Sequence, residues 1–219
     1  MPLSDDTLEL VLYHDVLCGW SWLAEKRLLL LREEMGPYLR IRRRPFAVRP
    51  EARIPTRWEC MAEASNWRKV ARERDAEPIV TDLWRSSDPP TSSMPPLWAL
   101  HAAAIVGGNV GAERLLAELR RAAFLQGINV SRDDVILEIA AKIGLPMSRF
   151  ANAYFSEHTR RTVRDQHEDA CSRGIDSVPT VILGDEWMLA GARTVEEYRS
   201  AIRRYVQQQG LRMPQRSVH

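Results

Sequence analysis

Hydrophobic residues near the start of the chain change rhythm within a few positions. Leu8, Leu10, Val11, Leu12 and Tyr13 form an apolar run too short for a helix and ended by His14 and Asp15, the pattern of a buried strand. From Trp22 to Glu34 the apolar positions recur at helical spacing, and Gly36-Pro37 supplies a sharp stop. Residues 38–45 (YLRIRRRP) alternate as a second strand, with Tyr38 or Leu39 through Ile41 partly buried. A loop punctuated by Pro45, Pro50 and Pro55 follows. Trp58, Met61, Ala64, Trp67 and Val70, spaced by three and four, mark one face of a helix within residues 56–75.

Pro78, Pro89, Pro90, Pro95 and Pro96 then break the chain into an irregular segment around Trp84, a length of connection that is often functional. Helices are predicted over residues 97–106, stopped by Gly107-Gly108, and over 110–127. Others follow over 133–143, with Ser131 as N-cap and Gly144 as stop, and over 147–156 and 159–173. The C-terminal part returns to strands. TVIL at 180–183 and WMLA at 187–190 flank a hairpin turn at Gly184-Asp185-Glu186. The Thr194 to Glu197 spacing is a capping box, opening a last helix with Val195, Tyr198, Ile202, Tyr205 and Val206 inward. The tail after Gly210 is polar and reads as frayed. Two β-containing segments, 1–56 and 174–219, thus enclose a helical insertion at 57–173.

Composition narrows the function classes. The 31 basic and 29 acidic residues nearly balance, which gives no global argument for nucleic-acid or membrane binding. Arg40, Arg42, Arg43 and Arg44 read as the solvated face of an alternating strand rather than a basic patch. No stretch approaches the ~18 apolar residues of a membrane span, and the N-terminal MPLSDDTLEL has no secretory pattern. Three widely separated cysteines form no disulfide framework, so a reducing, cytoplasmic setting is expected. His101, His158 and His167 form no zinc spacing with acids or cysteines. There is no Gly-rich phosphate loop and no G-x-S-x-G elbow, so no metal and no tightly bound cofactor is expected.

The candidate chemistry lies where the first strand meets the first helix. Cys18 falls at or just before the helix N-terminus, where unpaired N–H groups and the helix dipole favour an anion. The expectation is a thiol that ionises more easily than a free one, the thiolate being the reactive form. Cys18-Gly19-Trp20-Ser21 is a redox C-x-x-C with its second sulfur replaced by a hydroxyl. Ser21 cannot resolve a mixed disulfide, although it can hydrogen-bond the sulfur. His14 is a candidate for raising the local positive potential or moving a proton, and a loop histidine is the alternative. Asp15 is read first as a cap of the turn and second as a tuner of Cys18. Trp20 is placed over the thiol and Trp22 in the core. Cys60 and Cys171 are read as buried apolar thiols, with a distant resolving role as the alternative.

Asp15–Trp22 (DVLCGWSW), residues 121–145 and residues 174–191 (with Gly-Ile-Asp-Ser-Val-Pro-Thr), in that order, resemble the DsbA-like branch of the thioredoxin superfamily. The resemblance extends to its FrnE-type oxidoreductases, 2-hydroxychromene-2-carboxylate isomerases and kappa-class glutathione transferases. It implies an α/β, thioredoxin-like fold with a large all-helical insertion. It also implies a cis peptide at Val178-Pro179 beside Cys18, turning the Val178 backbone groups outward to pair with an extended thiol, with Gly19, Trp20 and Pro179 as further thiol-binding residues. Glutathione or another low-molecular-weight thiol is the implied co-substrate, with a disulfide-bearing protein or small thiol as partner. A homodimer is left open. Cys-Gly-Trp-Ser departs from the Cys-Pro-Trp-Cys of FrnE-type members and from the serine that isomerase and kappa relatives tend to carry first. Its chemistry is nearer to monothiol Cys-Gly-Phe-Ser glutaredoxins. Three functions follow: thiol–disulfide exchange through one cysteine, a glutathione-dependent isomerase or transferase, and a non-catalytic binding protein.

Overall fold

The computed structural model describes residues 7–184 and 186–211. Strand β1 (Leu8–His14) is central, because both its faces are covered. Leu8, Leu10 and Leu12 join Leu39, Ile41, Val181 and Leu183 in one apolar layer, and Val11 and Tyr13 face a second. A strand buried on both sides needs a continuous apolar run rather than alternation. Helix α1 (Gly19–Met35) crosses over to β2 (Leu39–Pro45), which runs parallel to β1. Strands β3 (Thr180–Leu183) and β4 (Trp187–Ala190) complete the sheet in the order β2-β1-β3-β4, with antiparallel β1–β3 and β3–β4 pairs.

Helices α2 (Arg57–Val70), α3 (Met94–Arg120), α4 (Asp133–Lys142), α5 (Met147–Tyr154) and α6 (Glu157–Ser172) lie between β2 and β3, and α7 (Val195–Gln208) follows β4. Ala24, Leu28 and Leu31 of α1 and Tyr198, Ile202 and Val206 of α7 cover one face of the sheet. Ala170 of α6, with Phe46 and Ile175, packs on the other. A separate apolar cluster built on α3, α4 and α5 reaches Val16 and Leu17, the turn that leads into α1. This is the thioredoxin-like α/β arrangement with a large helical insertion that the resemblance implies. Among the described residues no helix is long and apolar enough to cross a membrane.

The break read at Gly107-Gly108 is present: α3 (Met94–Arg120) is two helical stretches joined at Gly108, whose φ 63° and ψ −165° are not helical. The positive φ suits glycine, which has no Cβ to clash, and it is there that the axis turns. Other local expectations need correction. Ser131 is not an N-cap: Arg132 occupies that position, and the Ser131 hydroxyl donates to the Ser92 carbonyl at 2.6 Å. On α2 only Ala64, Trp67 and Val70 are buried, while Trp58 and Met61 are 77 % and 55 % exposed. The helical stripe is real, but its first turns extend past the core they were expected to cover. Asp185 of the β3–β4 turn, the first six residues and the tail beyond Leu211 lie outside the described residues.

Candidate active site

The turn from β1 into α1 is held by Asp15. Its buried carboxylate accepts from the Leu17 and Val48 N–H groups, each at 2.7 Å, which ties the turn to the loop after β2. Burial raises the Asp15 pKa against the pull of Ser93, Val48 and Leu17. With the turn fixed, Cys18 takes an extended conformation (φ −88°, ψ 109°) as the N-cap of α1. Its sulfur accepts from the Ser21 N–H at 3.4 Å, and its thiol donates to the Val178 carbonyl at 3.4 Å. Val178 precedes Pro179 through a cis peptide, and Pro179 is buried at the entry to β3.

The thiol is not the easily ionised group expected at a helix N-terminus. Burial pushes Cys18 up to about 11, and the nearby Asp15 adds to this. The Ser21 hydroxyl and N–H, with Arg120, pull only partly the other way. The Ser21 hydroxyl lies near enough to favour the anion, yet it is buried without a hydrogen bond of good geometry. A rise from 9.0 to about 11 leaves roughly a hundredfold fewer thiolates at neutral pH. Each thiolate is about six- to tenfold more nucleophilic for its higher basicity. The net expectation is exchange about tenfold slower than at an unperturbed cysteine. Alkylation of Cys18 by iodoacetamide is therefore expected to rise close to tenfold per pH unit from pH 7 to 10. A rate that plateaus by pH 8 would show that the helix N-terminus dominates.

His14 does not supply positive charge. It is buried, its Nδ1 lies 3.3 Å from Arg120 Nη2, and burial followed by the Arg120 charge lowers it to about 3, so it stays neutral. Arg120 and Arg43 both donate to Glu25 of α1, and Arg43 also reaches Glu113 at 2.8 Å. His14 therefore belongs to a buried charge cluster of the core, and neither His14 nor Asp15 lines the cavity at the cysteine.

A cavity of about 340 Å³ opens at Cys18, Gly19, Trp20 and Val178. Gly19 packs closely on α2: a Cβ there would sit 3.2 Å from Val70 Cγ2, so the Val70 side chain would have to give by a few tenths of an ångström. Trp20 donates from Nε1 to Asn66 Oδ1 at 3.4 Å, while Trp22 stacks on Phe124 with centroids 5.0 Å apart. Ser21 lies buried beneath the lining. Trp67 and Trp84 form an aromatic wall with centroids 5.7 Å apart, and the Arg49 guanidinium lies 5.2 Å from the Trp84 centroid. Glu63, 3.6 Å from Arg49, and His167 contribute further polar groups. His167 accepts the Ala47 N–H through Nδ1 at 3.2 Å, and burial lowers its pKa.

Cys60 is half-buried against the helical core, as read from the sequence, whereas Cys171 is exposed, with its sulfur 3.9 Å from His167 Nε2. The apolar reading of Cys171 fails because it lies on the solvent side of α6. Sequence reasoning missed Arg49, Glu63, Asn66 and His167 as cavity residues. Only the position of Arg49 in a Pro-punctuated loop offered any signal. Among the described residues no cluster of His, Cys, Asp and Glu is placed to hold a metal.

Residues 9–203 match the model of the DSBA-like thioredoxin domain. A ClpXP adapter protein SpxH of Halalkalibacterium halodurans is 32 % identical over 183 residues, covering 80 % of this chain and 58 % of that protein. The same name is carried by relatives from Shouchella clausii and Bacillus subtilis, and the chain spans about three-fifths of the length of these curated relatives. Among solved structures, a Nitrosomonas europaea protein provisionally described as a protein disulfide isomerase superposes with a TM-score of 0.79 at 16 % identity, covering 92 % of this chain and 98 % of that one. The cytosolic disulfide reductase DsbM of Pseudomonas aeruginosa, with GSH, gives 0.68 at 22 % identity, covering 91 % and 100 %.

Proposed function

The chain belongs to the DSBA-like thioredoxin domain family, and within it we propose thiol–disulfide exchange through the single nucleophile Cys18, with glutathione or a similar small thiol as co-substrate. The observation that carries this reading is the pairing of Cys18 with the Val178 carbonyl across the mouth of an apolar cavity. An extended thiol that adds its backbone to Val178 would take that carbonyl as its own acceptor. The Cys18 thiol would then lose the partner that holds its proton, so arrival of the substrate favours ionisation. Cys18 attacks a substrate disulfide, one substrate sulfur departs as thiolate, and a mixed disulfide remains on Cys18. A second, external thiolate then attacks that bond and releases Cys18. One disulfide is exchanged for another, with no net oxidation of the protein. The solved structure of DsbM with GSH supports a small thiol as the partner of such a fold.

The test is Ser21→Cys. Its new sulfur stands where a resolving thiol stands in C-x-x-C, so the variant is expected to form an intramolecular disulfide in oxidised glutathione. The natural chain is expected to stop at a Cys18 adduct. A Ser21→Cys protein that still stops at the adduct would overturn the assignment of position 21. Glutathione-dependent isomerase or transferase chemistry would use the same cavity with position 18 holding glutathione's sulfur rather than attacking, and predicts an active Cys18→Ser protein.

A second reading has its own support. Relatives are named ClpXP adapter proteins, and burial holds the Cys18 thiol neutral. Here the fold presents a surface to a protein partner, and Cys18 is not turned over. Partner binding that survives Cys18→Ala, together with no exchange activity in the natural chain, would select this reading.

A further inference from the structure

A second cavity, of about 370 Å³, runs along the outer side of β2 and is lined by all six residues from Arg40 to Pro45. Strand β2 ends the sheet, and β1 is its strand partner. The Phe46 N–H bonds the His14 carbonyl at 3.0 Å, which sets the phase of the peptide groups. Backbone groups of a strand alternate sides with period two, so Arg40, Arg42 and Arg44 turn theirs toward β1. Ile41 and Arg43 turn theirs outward. Among the described residues nothing hydrogen-bonds the outward N–H and C=O groups of Ile41 and Arg43. An edge with unpaired groups is a template for another strand.

The surroundings select what pairs there. Leu97, Leu100 and Ala104 of α3, with Val163 of α6, form an apolar wall facing that edge. Arg40 and Arg44 make no ion pair among the described residues, and Arg42 is held only by Glu9 at 2.9 Å. Arg43 is fully engaged by Glu25 and Glu113. The groove thus offers two peptide units, an apolar wall and a positive rim.

We propose that β2 receives an extended, acidic segment of a partner protein as a fifth strand, lying in the groove between β2 and α3. Main-chain bonds to Ile41 and Arg43 provide the attachment, alternate apolar side chains meet Leu100 and Ala104, and carboxylates meet Arg40, Arg42 and Arg44. The site is independent of Cys18.

The experiment titrates the full chain with a fluorescently labelled peptide of alternating Asp/Glu and Val, followed by anisotropy. Saturable binding is expected, at least tenfold weaker for Arg40→Glu/Arg44→Glu protein. It is also expected to be lost when alternate peptide nitrogens are methylated in one register and retained when the other register is methylated. Amide exchange at Ile41 and Arg43 is expected to slow in the complex. Circular dichroism of the double variant checks its fold, and the methylated peptides test the proposal on the unaltered protein. Equal binding by both methylated peptides would mean attraction to charge alone and would overturn strand addition. So would no binding at millimolar peptide.

Discussion

Glu25→Ala is expected to destabilise the protein by about 3–5 kcal/mol, because it leaves the buried Arg120 guanidinium without its carboxylate, while Arg43 keeps Glu113. Glu25 accepts from Arg120 and Arg43, and the Glu25 and Arg120 side chains are only 8 % and 2 % exposed. Replacing the pair together, as Glu25→Leu with Arg120→Met, is expected to cost less than the two single changes added, since the charges are removed with each other. Urea unfolding of the four proteins measures this coupling. A Glu25→Ala cost below 1 kcal/mol would mean that water reaches the cluster.

The same cluster sets the acid response. Burial pushes the Glu25 carboxyl upward, but Arg120 and Arg43 overcome it and hold it at about 2 instead of 4.5. The stabilisation from this shift, about 3 kcal/mol, is complete above pH 4.5 and is lost as pH falls toward 2. His14, lowered from 6.5 to about 3, binds its proton in the unfolded chain first, so it removes stability as pH drops from 6.5 to about 3. Glu25→Ala is expected to remove the Glu25 contribution between pH 4.5 and 2, so that the remaining loss levels off near pH 3. The part that begins near 6.5 should remain.

Trp67→Ala is expected to cost a further large amount, about 3–5 kcal/mol, as a buried aromatic truncated in a close-packed core. Trp67 is 1 % exposed and packs on Trp84 and on Phe124, whose centroid is 4.4 Å away. It also walls the Cys18 cavity, so the truncation opens the thiol to water and removes part of the burial that raises its pKa. Thermal unfolding should fall by roughly 10 °C for a chain of this size. Cys18 alkylation at pH 8 should quicken, and Trp67→Phe should recover most of both. Unchanged alkylation with full destabilisation would separate the core role of Trp67 from its role at the cavity.

The features legible in the sequence are those with local signals. The β1 run, the start of α1 at Cys18, the Thr194 capping box and the β3 and β4 strands each rest on a few adjacent residues whose chemistry decides their conformation. The cavity was not legible, because Arg49, Glu63 and His167 come from the loop after β2, from α2 and from α6, and no spacing joins them. The state of Cys18 was misread for a related reason. A helix N-terminus is visible as a pattern, but the burial that outweighs it is assembled from Phe46, Trp67 and Trp84 far along the chain. His14 was ambiguous until Arg120, 106 residues away, stood beside it. Ser131 looked like a cap because its type and position fit one, and the Ser92 carbonyl claimed its hydroxyl instead.

The central claim is that Cys18 alone exchanges with a small thiol, and intact mass after brief exposure to oxidised glutathione tests it most directly. The exposed Cys171 is first replaced by serine, so that it contributes no adduct of its own. A single glutathione adduct, reversed by reductant and absent from Cys18→Ser/Cys171→Ser protein, is the predicted result. No adduct, an adduct that persists without Cys18, or loss of two hydrogens through pairing with Cys60 would contradict it.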